Sequence, residues 1–428
     1  MQVSARERVT PGEPIALRFA ASIEALGPFP PAPQLAVALS GGADSLALTL
    51  LAHDWVSQRG GRLVALTVDH RLRAESTDEA QQAAAMMQAR GIAHAILTPH
   101  HTPITNLQET ARNWRYEALA DYCRAHGLLH CLIAHQAGDH RETVAHHQQR
   151  GETADGLSGM RRVRNFLGVR FVRPLLQFER EELTDFLRSK NAVWIDDPSN
   201  ENTRFARVRT RKMLQQNPAR AEELDALMMQ ASSARRARDI ALAEATVTCV
   251  TISPLGFADV SLCAWRTLDP LLQSQLLADC MTTISGSVHR PRAKDTARLV
   301  EALGGNFRKR TLQHCEITLV GDRLRIAREL ARVAAPLRLS GDSAAFWDGR
   351  FRVHYHLPTG TEYQLQAIGA RGRRQLRALG HDLPASTPGL WHLDELVHVP
   401  HIGMPERFAG EVCVGFAPAK PLAAAPFW

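Results

Sequence analysis

A short glycine-containing segment near the start of the chain has the residue types of an anion-binding loop. The segment is Ser40-Gly-Gly-Ala-Asp-Ser45, and it lies between the apolar run Leu35–Leu39 and a helical pattern. A turn between a strand and a helix gathers free backbone N–H groups, and serine hydroxyls add further donors. Because the chain contains no G-x-x-x-x-G-K-[ST] sequence, this is not a Walker A loop. We predict that it binds the pyrophosphate part of a nucleotide and that Asp44 binds a metal ion beside it.

Further polar residues follow other apolar runs. Asp69-His70 comes after the second run, and His135 comes after the fourth, with Asp139 and Glu142 close behind it. Imidazole and carboxylate groups at such positions can contact a nucleotide, bind a cationic substrate or transfer protons. Three alternatives stay open, since Asp69-His70 could cap a loop or neighbour a helix, Asp139 could cap a helix, and His135, Asp139 and His140 could ligate zinc.

Two basic segments are candidate phosphate-binding surfaces. Arg112, Arg115 and Tyr116 have the spacing of one helical face. Residues 204–212 contain no acid. Their basic members are Arg204, Arg207, Arg209, Arg211 and Lys212. Guanidinium groups near a nucleotide would stabilise charge on its α-phosphate, and clustered cations bind nucleic-acid phosphates. A solvated helix face is the alternative for both segments.

These residues require a framework that brings distant parts of the chain together. In the first two hundred residues, apolar runs typical of buried strands alternate with segments typical of helices. This βαβ alternation predicts an α/β fold with a doubly wound, mostly parallel, Rossmann-like sheet. Because ligands bind such sheets beyond the carboxyl ends of the strands, we expect the polar segments near residues 40–45, 69 and 135–143 at one edge.

The composition indicates a globular protein with an acidic partner. Of 428 residues, 45% are hydrophobic and 22% are charged, and the formal net charge is +7, so nucleic acid is the leading partner class. The seven cysteines form no C-x-x-C pair. That favours reduced core thiols in a cytoplasmic protein over a disulfide framework or a zinc site. We find neither a signal peptide nor a run of about 20 apolar residues, and we predict no membrane association.

The pattern changes after about residue 217, and we predict three domains. Residues 1–217 contain the alternation of strands and helices. Residues 218–335 are mainly helical in pattern, with a predicted hairpin across Gly321-Asp322. Residues 336–428 combine short strands, turns and an arginine cluster. We therefore expect C-terminal α and α+β domains whose role is to bind the partner.

Several blocks together resemble the tRNA(Ile)-lysidine synthetase family, within the PP-loop ATP pyrophosphatases. The loop at residues 40–45 matches the family's PP-loop, and Val68–Ser76 resembles its V-D-H-x-L-R-x-E-S block. The other blocks are Glu109–Tyr116, Ala134–Thr143, Gly151–Met160, Arg173–Leu176 and Trp194–Asn200. The resemblance is strong over residues 35–215 and faint beyond them.

The resemblance implies a tRNA-modifying ligase that uses ATP and Mg²⁺. In that family, ATP adenylates the C2 carbonyl oxygen of the wobble cytidine in an isoleucine tRNA with a CAU anticodon. The ε-amine of free L-lysine then attacks C2, AMP leaves, and lysidine is formed. The resemblance also implies C-terminal domains that bind tRNA, and it leaves a homodimer open.

The resemblance also implies roles for the site residues. Asp44 would bind Mg²⁺, and Arg112 and His135 would lie beside the α-phosphate. Asp139 and Glu142 would hold the lysine substrate, and His135 or Glu142 would accept its proton. The nucleotide-binding set is Ser40, Gly41, Gly42, Ala43, Asp44, Ser45, Asp69 and His70. The tRNA-binding set is Arg115, Arg204, Arg207, Arg209, Arg211 and Lys212.

The chain departs from the family pattern at a few positions. Gln136 and Gly138 stand where histidine and aspartate are usual, His140-Arg141 stands where Gln-Ala is usual, and Val208 replaces asparagine. Because the predicted catalytic residues are kept, we expect activity to persist. Two other functions stay open. One is another PP-loop ligase, such as a tRNA thiolase or an ammonia-dependent amidotransferase, and the other is an RNA-binding module without activity.

Overall fold

The computed structural model describes residues 13–69, 76–98, 107–151, 154–195, 206–287, 289–305, 307–403, 411–418 and 420–422, with only the backbone at residues 107–112, 154–155 and 206–207. The chain divides into two compact units, of which the first ends at Ala237 and the second begins at Arg238. That division falls within a long helix, Pro218–Cys249. The domain starts at residues 218 and 336 stay predictions.

The first unit is built on one mixed sheet. Its strands are β1 (Gln34–Ala38), β2 (Arg62–Val68), β3 (Ala93–Leu97), β4 (His130–Leu132), β5 (Val163–Phe166) and β6 (Val169–Val172). They lie in the order β3-β2-β1-β4-β6-β5. All neighbouring pairs are parallel except β5 and β6, which are antiparallel.

Helices cover both faces of this sheet because its strands bury alternate residues on opposite sides. The helices of the first unit are α1 (Ile15–Glu24), α2 (Ala43–Ser57), α3 (Ser76–Gln88), α4 (Leu107–Ala125), α5 (Ala137–Gln149), α6 (Ala154–Leu157), α7 (Arg180–Ser189) and α8 (Ala206–Gln216), followed by α9 (Pro218–Cys249), in which the unit ends. Leu214 of α8 and Leu224 of α9 pack with Val144 of α5. Val37 of β1 packs in one core cluster with Leu46 of α2, whereas its neighbour Ala36 packs in another with Leu119 of α4. The predicted doubly wound, mostly parallel α/β fold is confirmed.

The parallel strands define two edges of the sheet. In the register of the sheet, Val37 of β1 lies opposite Ala65 of β2 and Leu132 of β4, and Leu132 lies opposite Val172 of β6. The segments that follow β1, β2, β4 and β6 therefore meet at one edge, which we call the carboxyl edge. The opposite edge, where β4 begins at His130, is the amino edge.

The second unit begins with an antiparallel sheet and helices. Its sheet has the order β7-β8-β11-β10-β9, made of β7 (Val250–Ser253), β8 (Phe257–Ser261), β9 (Lys309–Leu312), β10 (Cys315–Val320) and β11 (Arg323–Arg328). The helices are α10 (Leu262–Arg266), α11 (Pro270–Ser285) and α12 (Ala293–Leu303). Val320 pairs with Arg323, so the hairpin predicted across Gly321-Asp322 is confirmed.

Two smaller sheets complete the second unit. One consists of β12 (Leu337–Leu339), β15 (Tyr363–Ala367), β16 (Pro388–His392) and β17 (Glu395–His398). The other consists of β13 (Asp342–Trp347), β14 (Phe351–His356) and β18 (Val412–Phe416), and the helix α13 is Gly369–Ala378. The fully buried Arg350, between β13 and β14, binds Asp348 and the carbonyls of Gly256 and Ile284, which ties the second of these sheets to the preceding part of the unit. Across the described residues, no helix combines the length and the apolar character needed to span a membrane.

Candidate active site

The loop after β1 has a backbone course that requires glycine at one point. Gly41 has φ +84°, in the left-handed region that favours glycine. A Cβ there would lie 2.6 Å from Cδ1 of Ile195, and the Ile195 N–H donates to the Gly41 carbonyl at 3.0 Å. Both the dihedral angle and the available space therefore exclude a side chain at this residue.

Hydroxyl groups inside the loop fix its shape. Ser45 Oγ accepts from the Ser40 N–H at 3.1 Å and donates to the Gly42 carbonyl at 2.9 Å. Gly42 is the N-cap of α2, and no side chain caps the helix there. The N–H groups of the first helical turn are thus left without a side-chain acceptor. Such groups at the start of a helix can bind an anion.

The Asp44 carboxyl group, in the first turn of α2, is destabilised as an anion. Burial raises its pKa from 3.8 to about 6. Arg180 and Arg211 act against that rise, and Asp139 adds to it. In the described structure, Asp44 Oδ1 is buried without a hydrogen-bond partner. A buried carboxylate oxygen of this kind fits a hard cation such as Mg²⁺, which takes oxygen ligands.

A tetrahedral zinc site needs a denser cluster of ligands. Among the residues with described side chains, no three His, Cys, Asp or Glu groups come together as metal ligands. Magnesium differs because it keeps several waters and takes one or two carboxylates together with substrate phosphates. The Asp44 carboxylate alone therefore fits the magnesium requirement on the protein side.

His135 lies at the carboxyl edge beside a buried arginine. Arg173 directly follows β6, and its Nε donates to His135 Nδ1 at 3.0 Å. The remaining guanidinium nitrogens donate to the Arg161 carbonyl at 2.8 Å and to the Tyr116 hydroxyl at 2.9 Å. The His135 ring is partly exposed, so one side of it can reach a bound molecule.

Asp139 and Glu142 lie one helical turn apart on α5, and we call them the acid pair. Arg211 Nε donates to Glu142 Oε1 at 2.6 Å, and Arg211 Nη2 lies 3.7 Å from Asp139 Oδ1. The Glu142 side chain is 3% exposed. Together with the electrostatic influence of Asp139 and Arg211 on Asp44, these contacts bring α2, α5 and α8 into one charged site.

Three of the departures from the family pattern, Gln136, Gly138 and Arg141, have local structural reasons. Gln136 is the N-cap of α5, where its side chain accepts from the Gly138 N–H and its own N–H donates to Asp139 Oδ2 at 3.2 Å. A Cβ on residue 138 would lie 3.0 Å from Gln136 Oε1, so Gly138 makes room for the Gln136 cap. The alternative in which Asp139 caps a helix is thereby confirmed, while its predicted site role stays a prediction.

Arg141, another departure, joins three helices. Its guanidinium donates twice to Glu179, at 2.6 and 2.9 Å, and twice to Asp225, at 2.8 and 2.9 Å. Glu179 caps α7 and Asp225 lies on α9. Its neighbour His140 is largely buried, and burial lowers the pKa of His140 to about 4. These side chains therefore brace the helix that carries the acid pair.

Asp69 is held by the start of a helix. Ser76 Oγ donates to its Oδ1 at 2.6 Å, and Thr77 Oγ1 donates to its Oδ2 at 2.8 Å. Both hydroxyls belong to the first turn of α3, and Asp69 is 3% exposed. The structure thus gives Asp69 a part in placing α3 at the carboxyl edge, while nucleotide contact by this residue stays a prediction.

The predicted basic residues take different positions. Arg209 and Lys212 are exposed on α8, and Arg115 is exposed on α4 beside the buried Tyr116. The Arg211 side chain, in contrast, contacts the acid pair. Arg112 and Arg207 have a described backbone only, and His70 and Arg204 lie outside the described residues.

Two residues of the site had no role in the sequence reasoning. Arg173 and Ile195 each belonged to a recognised block, but their contacts with His135 and Gly41 are made across the fold. The strand before Arg173 has only four residues, Val169–Val172, so neither Arg173 nor Ile195 carried a local signal of its contact.

Comparison with known proteins gives consistent matches. A family model described as a PP-loop domain matches residues 15–217. A tRNA(Ile)-lysidine synthase from Ruegeria pomeroyi is 32% identical over 390 residues, covering 89% of this chain and 92% of the relative. One from Anaplasma marginale is 32% identical, covering 74% and 70%. A solved U34-tRNA thiolase from Methanococcus maripaludis aligns with 51% of this chain and 78% of its own, at 16% identity and a TM-score of 0.43.

Proposed function

Since the chain belongs to the tRNA(Ile)-lysidine synthase family, we propose that it forms lysidine at the wobble position of isoleucine tRNA. Membership makes it an ATP-dependent, tRNA-modifying ligase. In the finer reaction, the C2 carbonyl oxygen of the cytidine in a CAU anticodon attacks the α-phosphorus of ATP, and pyrophosphate leaves. The ε-amine of free L-lysine then attacks C2, and AMP leaves with that oxygen.

The loop at residues 40–45 would bind the pyrophosphate part of ATP. The start of α2 has no side-chain cap and offers N–H donors to phosphate oxygens. Asp44 would hold Mg²⁺ through the buried Oδ1 that has no partner. When bound, Mg²⁺ neutralises charge that develops on the leaving pyrophosphate. This unsatisfied oxygen beside an uncapped helix start is the observation that carries the proposal.

The acid pair would hold the lysine substrate. A lysine ammonium group, with an ordinary pKa of about 10.4, is charged in water, so two partly buried carboxylates select it. Arg211 already binds Glu142 and lies close to Asp139. The incoming ammonium must therefore share or displace that guanidinium. Before it attacks, lysine loses a proton, for which His135 and Glu142 are the candidate acceptors.

Exposed cations beside the site would bind tRNA phosphates. Arg209 and Lys212 on α8 and Arg115 on α4 are exposed, and the predicted tRNA-binding set also includes Arg204 and Arg207. Each lost phosphate contact lowers the salt dependence of binding. Arg209→Met and Lys212→Met should therefore weaken tRNA binding and flatten its salt slope in filter binding. An unchanged slope would remove α8 from the interface.

Incubation with labelled lysine, ATP and bulk tRNA tests the function directly. We expect label in an isoleucine tRNA, with release of AMP and pyrophosphate, and no label with Asp44→Asn. Pyrophosphate release with ammonia or a sulfur donor, and no lysine incorporation, would instead identify another PP-loop ligase. The thiolase alternative needs an accessible reactive cysteine, whereas Cys123 and Cys131 of the first unit are fully buried.

A further inference from the structure

Arg173 is clamped so that it fixes the His135 ring. It is 4% exposed, and its three nitrogens donate to His135, Arg161 and Tyr116. Tyr116 is itself buried, with its ring edge-on to Phe171 at a centroid distance of 4.8 Å. Because the guanidinium is held on three sides, it cannot follow the imidazole if that ring turns. The bond from Arg173 thus sets the orientation of the His135 ring.

The direction of this bond decides which ring nitrogen carries the proton. A guanidinium has donors only and stays charged in proteins. Nδ1 of His135 must therefore present its lone pair, and the neutral ring then carries its proton on Nε2. With its one lone pair engaged by Arg173, the ring can donate from Nε2 and has no free nitrogen with which to accept.

We propose that Arg173 is a positioning residue that holds His135 as a neutral Nε2–H donor to the α-phosphate of ATP. This inference rests on the proposed function. Of the two candidate acceptors for the lysine proton, His135 and Glu142, it leaves Glu142. In the second step the bond from lysine Nζ to C2 forms, and the bond from C2 to the adenylated oxygen breaks. AMP leaves with the electron pair, and the Nζ proton passes to the Glu142 carboxylate.

The position of the proton can be measured without any substrate. Nitrogen-15 NMR of histidine-labelled protein at slightly alkaline pH distinguishes the two neutral tautomers, and His135→Gln identifies the signal. We expect the Nε2–H form in the wild type and exchange between both forms in Arg173→Met. His130 is an internal reference, because it accepts from Arg170 through Nε2 at 2.8 Å and must carry its proton on Nδ1.

Kinetics separate positioning from a purely structural role. Loss of one oriented donor in the transition state lowers kcat by about a hundredfold, and we expect this for Arg173→Met with little change in the KM for ATP. Arg173→Lys, which keeps one charged donor, should recover part of the rate. Tyr116→Phe is the matched control, since it removes one anchor of the guanidinium and leaves the bond to His135.

Two results would overturn the proposal. One is a wild-type His135 that carries its proton on Nδ1. The other is an Arg173→Met protein that keeps the wild-type tautomer, whatever its activity. If Arg173→Met does not fold, Arg173→Gln replaces it, and both tautomers are expected there too, because the glutamine amide can either donate to Nδ1 or accept a proton from it. A wild type that transfers no lysine would reject the proposed function and leave the tautomer result standing.

Discussion

Arg170 and Arg173 are close in sequence, but they bind different histidines at opposite edges of the sheet. At the amino edge, Arg170 Nη1 donates to His130 Nε2 at 2.8 Å. At the carboxyl edge, Arg173 Nε donates to His135 Nδ1 at 3.0 Å. The residue types are the same, but opposite ring nitrogens accept the bond. The chemistry of each pair is therefore decided by where the strand places it.

The surroundings show what each pair does. Arg170 also donates to the Leu26 and Gly27 carbonyls, and the Phe29 ring lies 4.7 Å from the His130 ring. Burial, with Arg170 adding to it, lowers the pKa of His130 to about 4. These contacts join the end of α1 to the sheet. At the carboxyl edge, in contrast, the fold leaves Asp44 Oδ1 buried and unsatisfied, which a bound cation would correct.

The largest expected effect concerns the carboxyl edge, at Asp44. Asp44→Asn removes the charge that would hold Mg²⁺. Lysine incorporation should fall about a thousandfold, the size that several kcal/mol of charge stabilisation gives. Single-turnover transfer of labelled lysine measures this, with His130→Gln at the amino edge as the control. Normal turnover in Asp44→Asn would contradict the role of Asp44 in holding Mg²⁺.

The same substitution should stabilise the protein at alkaline pH. The folded pKa of Asp44 is raised from 3.8 to about 6, so ionisation destabilises the fold as the pH rises through that window. The penalty is at most about 3 kcal/mol, and asparagine does not have it. Without nucleotide or divalent ions, Asp44→Asn should melt several degrees above the wild type at about pH 8, and the gap should shrink toward about pH 4.5. A gap independent of pH would contradict this.

The second largest effect concerns the loop backbone. Gly41→Ala places a Cβ 2.6 Å from Ile195 Cδ1 at a residue with φ +84°. We expect roughly 1–3 kcal/mol of strain and a large loss of kcat, because the loop amides must shift. Adding Ile195→Ala removes the clash but not the dihedral strain, so it should restore only part of the activity.

A matched control for this loop lies elsewhere in the first unit. Gly60 also has a positive φ, +65°, but a Cβ there meets nothing within 4 Å. Gly60→Ala should therefore lower the melting temperature slightly and leave lysine transfer unchanged. If Gly41→Ala behaves like Gly60→Ala, the loop is not held as the structure shows.

The parts of the fold that were predictable are local in sequence. The mostly parallel sheet followed from strand and helix alternation, and the loop at residues 40–45 is contiguous. The antiparallel β5–β6 pair was not predicted, because strands of four residues such as Val163–Phe166 and Val169–Val172 are too short to show a period. Helix α9, Pro218–Cys249, opens the segment that was predicted to be mainly helical from residue 218.

The site was predictable in its residue types more than in its pairings. Arg211 was predicted to bind tRNA together with the other basic residues of 204–212, but its partner Glu142 lies 69 positions away. Arg173 and His135 are 38 positions apart, and no local pattern signals that bond. Asp139 has two roles that the sequence could not separate. Its Oδ2 accepts from the Gln136 N–H at the start of α5, and its Oδ1 lies near Arg211 in the site.

A smaller effect concerns the acid pair. Arg211→Met removes the guanidinium that binds the buried Glu142, and a buried carboxylate that loses a cation binds another more readily. We therefore expect lysine alone to raise the melting temperature of Arg211→Met more than that of the wild type. Arg209→Met, an exposed neighbour on α8, is the control and should respond as the wild type does. An equal response in all three proteins would remove lysine from the acid pair.

The smallest effect on activity belongs to the amino edge, at His130. His130→Leu leaves Arg170 Nη1 without its ring acceptor, which should cost about 1–3 kcal/mol of stability and leave kcat unchanged. His130→Gln restores an acceptor that does not titrate.

The pH dependence at His130 has the opposite sign to that at Asp44. The folded pKa of His130 is lowered from 6.5 to about 4, so its contribution to stability is present above pH 6.5 and is lost as the pH falls through that window. His130→Gln should therefore match the wild type near neutral pH and melt above it near about pH 4.5. A change of kcat in either His130 variant would show that the two edges are not independent. It would contradict a purely structural role for the Arg170–His130 pair.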